Sequence, residues 1–175
     1  MSTSSEAPIR RRPGEGALAR LSCLAVQPIL TRIVRRIAAR HPSLFARLGA
    51  HQKTDFLIDA QELPFALHLR PDPEALLLRA VPRDAAPQAG ATIRGTFMLL
   101  LELIDAEQDG DAAFFSRDLE VSGDTEAVVR LRNALDDMDG SLAEETASMF
   151  GPPGRAILAR LRRSYLDDTT TVGNI

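Results

Sequence analysis

The chain of 175 residues has no tryptophan, one tyrosine, one cysteine and three histidines. A lone Cys23 excludes an internal disulfide framework and any cysteine metal cluster. No basic residue stands beside it to activate the thiol, which reads as buried and idle. His41, His51 and His68 are scattered, with no H-E-x-x-H spacing. His68 falls on the outer face of a strand pattern and reads as solvent-facing rather than as a metal ligand. Gly90 and Gly95 have the spacing of two phosphate-loop glycines, but no lysine follows. Asp136, Asp137 and Asp139 read as a solvated helix end, not a cation site. With no nucleophile–base pair in view, the expected function is non-enzymatic and calls for no cofactor and no metal. No uncharged apolar run reaches about 18 residues, so no transmembrane helix is expected. The first residues lack an apolar segment behind their charges, so no secretory peptide is expected either.

What is present is enough apolar material for one domain. Apolar residues make up 45% of the chain and charged residues 26%. Leu, Ala, Val and Ile supply the core, with seven phenylalanines as large fillers. The charge is unevenly placed. Residues 1–50 hold nine arginines against two glutamates, a balance of +7, and the remainder holds twelve basic against twenty-two acidic residues, a balance of −10. A basic front on an acidic body implies two contact surfaces, and the acidic body argues against nucleic acid as a ligand.

Taken in order, residues 1–16 are rich in Ser, Arg, Pro and Gly and are expected to be a disordered basic tail. Residues 17–49 read as amphipathic basic helices, with an interruption near Pro28. Leu18, Leu21 and Ala25 share one face. Leu30, Ile33, Val34 and Ile37 follow an i, i+3, i+4, i+7 stripe, with Arg32, Arg35, Arg36 and Arg40 opposite. Three readings of that segment stay open: a helix packed on its own domain, a membrane-surface helix with these arginines on lipid phosphates, or a helix that docks a partner protein. Ser43 is placed to cap a short helix through Leu48, ended by Gly49.

Alternation then marks three strands, at Phe56–Asp59, Phe65–Arg70 and Leu76–Ala80, as an antiparallel meander with one buried face. A fourth strand at Ala91–Arg94 runs through Gly95 into a helix from Phe97 to about Ala106, capped by Thr96. That helix is apolar nearly all round, so it should be buried on more than one side. A short helical piece at Ala112–Ser116 leads to a fifth strand at Leu119–Ser122. Asp124 then caps a long helix ending near Gly140, with Val128, Leu131, Leu135 and Met138 on one stripe. Ser141–Phe150 holds a short helix with Leu142, Met149 and Phe150 inward. Gly151-Pro152-Pro153-Gly154 reads as a hard break. A last helix covers Arg155 to about Leu166, and a loose tail follows.

Two of these units carry a resemblance. Ala89, Ala91, Thr92, Ile93, Gly95 and Thr96, then Leu119, Val121, Gly123 and Asp124, resemble the paired strand-Gly-helix units of the sterol-carrier-protein type 2 lipid-binding domain. Position 90 is Gly where that family often has Asp. The run Phe114-Phe115-Ser116-Arg117-Asp118-Leu119, with Gly123-Asp124-Thr125-Glu126, is similar to the UbiT-type branch, accessory factors of oxygen-independent ubiquinone biosynthesis in bacteria. The resemblance implies an α+β fold with a mainly antiparallel five-stranded sheet covered by helices and an apolar ligand tunnel, over residues 50–150. Residues 151–175 would form a C-terminal amphipathic helix and tail.

By this resemblance the apolar residues around the sheet become cavity candidates: Phe56, Ile58, Phe65, Leu67, Leu69, Leu78, Ile93, Phe97, Met98, Leu101, Phe114, Phe115, Val121, Leu131, Met149 and Phe150. On pattern alone the same residues are ordinary core. The implied ligand is a polyprenyl, quinone-type or phospholipid molecule. The implied partners are ubiquinone biosynthesis enzymes and a membrane surface, at a cytoplasmic location peripheral to the plasma membrane. A general phospholipid or fatty-acid carrier, a UbiJ-like assembly factor, and an interaction module with a solid core are the alternatives.

Overall fold

The computed structural model describes residues 15–104, 118–136 and 142–172. Its order is α1 (Glu15–Arg40), α2 (Ser43–Leu48), β1 (Phe56–Ala60), β2 (Ala66–Arg70), β3 (Leu77–Val81), β4 (Ala91–Gly95), α3 (Phe97–Ile104), β5 (Glu120–Gly123), α4 (Thr125–Asp136), α5 (Leu142–Ser148) and α6 (Gly151–Val172). The five strands form one sheet in the order β3-β2-β1-β4-β5. The expected meander is present: β1 pairs antiparallel with β2, and β2 with β3. β4 pairs antiparallel with β5 but parallel with β1, so the sheet is mixed at its centre. The chain leaves β3 at one edge and returns on the free side of β1, running in the same direction as β1.

Register sorts the side chains. Phe56 lies opposite Leu69 and Ala91, and Ile58 opposite Leu67 and Ile93, so these residues share one face. Leu78 and Val121 join it from the edge strands. That face carries the main core, in which Phe56 is fully buried with Leu44, Leu48, Ile93, Leu100, Leu103, Val128 and Leu131. The other face is polar and held by ion pairs. Arg70 donates two hydrogen bonds to the Asp55 carboxylate, at 2.9 and 2.6 Å, and His68 Nε2 lies 2.6 Å from Asp55 Oδ1. Asp59 receives Arg83 at 2.7 Å and Arg94 at 3.5 Å. His68 therefore sits on the expected outer face but is buried, not solvent-facing. Its charged neighbours on adjoining chain cover it.

The helix caps follow local chemistry. Thr96 Oγ1 accepts from the Leu99 amide at 3.2 Å, and Asp124 Oδ1 accepts from the Ala127 amide at 3.0 Å. Each satisfies a first-turn N–H that has no partner within its helix. Ser43 is the first residue of α2 and makes no capping bond there; Pro42 holds the cap position. Gly123, at φ +80, leads into α4, and a Cβ there would meet the Gly90 carbonyl oxygen at 2.3 Å. The same carbonyl accepts from the Asp124 amide at 2.8 Å. Glycine at 123 thus permits both the turn and the close approach of two chain segments.

Two expected breaks are helical. α1 runs unbroken through Pro28. A mid-helix proline removes one backbone bond, here the one that Leu24 would accept, and costs about 3 kcal/mol. Packing on the sheet offsets it: Cys23 and Leu30 bury against Phe65 and Ala80. Burial raises the Cys23 thiol above its ordinary value. α6 starts at Gly151 and takes Pro152 and Pro153 into its first turn, where a proline gives up no helical bond. It runs on to Val172, so residues 167–172 are helix instead of loose tail. Continuity also gives α1 the length and composition to cross a membrane, with only Arg20 and Arg32 charged between Ala17 and Val34. The expectation of no such helix counted uncharged residues alone. The piece expected at 112–116, Met138, Gly140 and the acidic residues Asp137 and Asp139 lie outside the described residues.

Candidate functional site

An apolar chamber of about 420 Å³ lies between the inner face of the sheet and the helices. Ile58, Leu67, Leu69, Leu78 and Ile93 form its floor from four strands, with Leu76 just before β3. α3 contributes Phe97, Leu100, Leu103 and Ile104, and α4 contributes Val128, Leu131 and Leu135. The near-total apolarity of α3 has a physical reason: one side faces this chamber, while Leu101 packs away from it against Ala143, Ala147 and Leu158 of α5 and α6.

Seven of the candidates named from sequence line the chamber: Ile58, Leu67, Leu69, Leu78, Ile93, Phe97 and Leu131. Phe56 is fully buried in the main core beneath it, and Val121 packs against that core. Phe65 belongs to the cluster under α1, with Cys23 and Leu30. Met98 and Met149 are half-buried away from the lining. Phe150 faces outward at 38% exposure, because α5 ends before it and the chain turns into α6. Phe114 and Phe115 lie outside the described residues.

The remaining wall comes from the front of the chain. Ile33, Val34, Ile37 and Ala38 of α1, and Leu44 and Phe45 of α2, supply it. The i, i+3, i+4, i+7 stripe already marked Ile33, Val34 and Ile37 as a buried face; the spacing could not say that the face looks onto a chamber. The inward stripe leaves Arg32, Arg35, Arg36 and Arg40 outside and exposed. Arg40 is anchored, with Nη1 2.8 Å from Glu145 Oε1, and His41 Nε2 lies 2.9 Å from Glu145 Oε2. Burial pushes the Glu145 carboxyl up, but these two bonds outweigh it and hold the group below its ordinary value. The pair fastens the end of α1 to α5. Upstream, Leu18, Leu21, Leu24 and Ile29 are exposed on the outer surface of α1.

Among the described residues, the chamber lining holds no nucleophile paired with a base. Its lining is aliphatic and aromatic apart from Thr146 and Arg132. Among the described residues no group of three or more His, Cys, Asp or Glu is placed to hold a metal ion. What such a chamber can do is shelter apolar surface from water, a non-directional gain that scales with the area removed.

A mixed five-stranded sheet roofed by helices, with an apolar chamber between the layers, makes this an α+β domain. The chain belongs to the SCP-2 sterol transfer family, whose model matches residues 34–136. No curated protein sequence matches it significantly. Among solved structures, it is similar to a UbiJ-SCP2 ubiquinone synthesis protein, with 19% identity, 67% of this chain and 90% of that chain covered, and a TM-score of 0.46. It is also similar to the sterol carrier protein domain 2 of Helicoverpa armigera, with 10% identity, coverage of 66% and 91%, and a TM-score of 0.44. Sterol Carrier Protein 2 from Yarrowia lipolytica, in its apo form, gives 10% identity, coverage of 69% and 91%, and a TM-score of 0.39.

Proposed function

We propose that this chain is a non-catalytic lipid-binding accessory protein, holding the hydrocarbon tail of a polyprenylated quinone precursor or a membrane lipid for the enzymes that modify it. The observation that carries this reading is the chamber of about 420 Å³, lined almost wholly by apolar side chains. At about 0.8 kcal/mol per buried methylene, a tail can be held there without specific polar contacts. Membership of a sterol transfer family supports a lipid ligand. The assignment to oxygen-independent ubiquinone biosynthesis rests on the likeness of Phe114–Leu119 and Gly123–Glu126 to the UbiT-type branch.

A carrier must collect its ligand from a bilayer. The exposed Leu18, Leu21, Leu24 and Ile29, followed along α1 by Arg32 and Arg36, make an outer face of apolar and then basic character. That combination suits the interface of an anionic membrane. The proposed site of action is the cytoplasmic surface of the plasma membrane.

Lipid extraction of the purified protein followed by mass spectrometry tests the reading. Co-purified quinone precursors are the expected result. Phospholipids alone would point to a general carrier of the same fold. A protein that carries no lipid and takes up none from vesicles would overturn the carrier reading in favour of an interaction module. Quinone content of a deletion strain, lowered without air and normal with it, is the expected cellular result.

A further inference from the structure

Most of the chamber wall is joined by apolar packing. Leu100 and Leu103 of α3 and Val128 and Leu131 of α4 share one buried cluster with Ile93 of the sheet and Leu44 of α2. α1 is fixed to β3 through Cys23, Leu30 and Ala80, and by the Gln27 side chain. The joint between the front of the chain and α5 is of another kind. Arg40 Nη1 and His41 Nε2 converge on one carboxylate, 2.8 Å from Glu145 Oε1 and 2.9 Å from Glu145 Oε2. This joint crosses the chamber wall. Ile37 and Ala38 come before it on α1, Leu44 and Phe45 after it on α2, and Leu142 and Thr146 stand on either side of Glu145; all six line the chamber.

α5 and α6 form one hairpin. Ala143 and Ala147 pack on Leu158, and a Cβ on Gly154 of α6 would strike the Ala147 carbonyl oxygen of α5. The hairpin also meets Leu101 of α3, and Leu142 joins the main core. Parting an apolar joint exposes greasy surface to water, whereas parting a polar joint exchanges its bonds for bonds with water. The Arg40 side chain is 56% exposed, so its charge is already hydrated and an ion pair of that kind holds weakly. The Glu145 side chain is 14% exposed and gains solvent on release. The seam between α1 and α5 is therefore where the wall parts at least cost.

We infer that this seam is the mouth of the chamber: the α5–α6 hairpin parts from the end of α1 when Glu145 releases Arg40 and His41, an apolar tail passes between them, and the carboxylate closes the seam again. None of the three latch residues belongs to the lining. The latch therefore governs how fast a ligand passes and not how tightly it is held. The inference rests on the reading of the chamber as a lipid site, and its test separates the two.

Pyrene-labelled dodecanol is a neutral probe, so no head-group charge acts on the latch. Its uptake by the full chain, and its release to excess methyl-β-cyclodextrin, are to be followed by stopped-flow fluorescence. The expected result is that Glu145→Gln raises both rates together about fivefold and leaves Kd within about twofold. Arg40→Gln should give a smaller rise, and adding it to Glu145→Gln should give no more, because both act through one carboxylate. Arg130→Gln, which breaks an exposed pair with Glu126 away from the seam, should change neither rate. Unchanged rates in Glu145→Gln would overturn the mouth and leave the lipid site standing. Faster release with unchanged uptake would do the same, since Glu145 would then help to hold the ligand. No binding of the probe by the native chain would overturn the lipid reading itself. Circular dichroism checks the fold of each variant. If Glu145→Gln does not fold, Arg40→Gln, on the exposed side of the pair, decides alone.

Discussion

The side chain of Gln27 completes the open edge of β3 at Ala80. Its Oε1 accepts from the Ala80 amide at 3.1 Å, and its Nε2 donates to the Leu78 carbonyl at 3.0 Å. A further bond from Nε2 to Thr31 Oγ1, at 3.2 Å, helps fix the amide in place. β3 ends the sheet, and an uncovered edge is a template for another chain. Gln27→Ala is expected to lower stability by about 1–3 kcal/mol in urea unfolding, since two backbone groups lose their partner. The same variant should self-associate with rising concentration, which size-exclusion chromatography would detect.

Gly123→Ala should be among the most damaging small substitutions. The added Cβ meets the Gly90 carbonyl oxygen at 2.3 Å, at a φ of +80. The loss is expected on the order of 2–4 kcal/mol, read as a fall in thermal midpoint. Gly16→Ala, where a Cβ meets nothing, is the matched control and should be neutral or slightly stabilising.

Acid should loosen the polar face of the sheet. The Arg70 guanidinium, against some burial and with help from His68, holds the Asp55 carboxyl below its ordinary 3.8. A carboxylate with a depressed folded-state pKa stabilises fully above the unfolded value. That contribution fades as pH falls through the lower folded value. Stability should therefore drop as pH goes below about 3.8, and Glu145, lowered from 4.5, adds in the same direction. Asp55→Asn should be less stable than the native chain at neutral pH and should lose less on acidification, as measured by urea midpoints across that range.

Filling the chamber should abolish lipid binding without unfolding the chain. Ala38 is a small residue on its α1 wall. Ala38→Trp is expected to cut uptake of a fluorescent fatty acid at least tenfold, with a stability change within about 1–3 kcal/mol. Unchanged uptake would mean that the lipid sits elsewhere.

The outer surface of α1 can be tested apart from the chamber. Leu21 and Leu24 are 63% and 73% exposed, so Leu21→Gln with Leu24→Gln should leave stability within about 0.5 kcal/mol. Co-sedimentation with anionic vesicles should fall severalfold. Removing residues 1–40 is a poorer test of membrane attachment than these two substitutions, because it takes away one wall of the chamber and the cover of β3 along with the exposed leucines.

Strand alternation and the caps Thr96 and Asp124 were legible because both depend on neighbours within four residues. The same locality explains what was missed. The parallel pairing of Phe56 with Ala91 joins segments more than thirty residues apart, and no spacing announces it. The burial of His68 depends on Asp55 and Arg70, brought together only when β1 and β2 pair. Chamber and solid core present the same apolar residues in sequence, so Ile58 and Phe56 could not be told apart although one lines a void and the other does not. Proline misled twice, at Pro28 and at Pro152-Pro153. Its local cost was outweighed by packing in the first case and absent by position in the second.

Pro28 also divides α1 into two mechanical parts. Before it, the helix turns leucines to the outside; after it, the helix is a wall, and the Arg40–Glu145 latch holds its far end. The missing rung at Leu24 lies between them. With that rung gone, the first turns depend on the packing of Cys23 against Phe65 and Ala80, so a substitution among them need not disturb the wall that the second half forms.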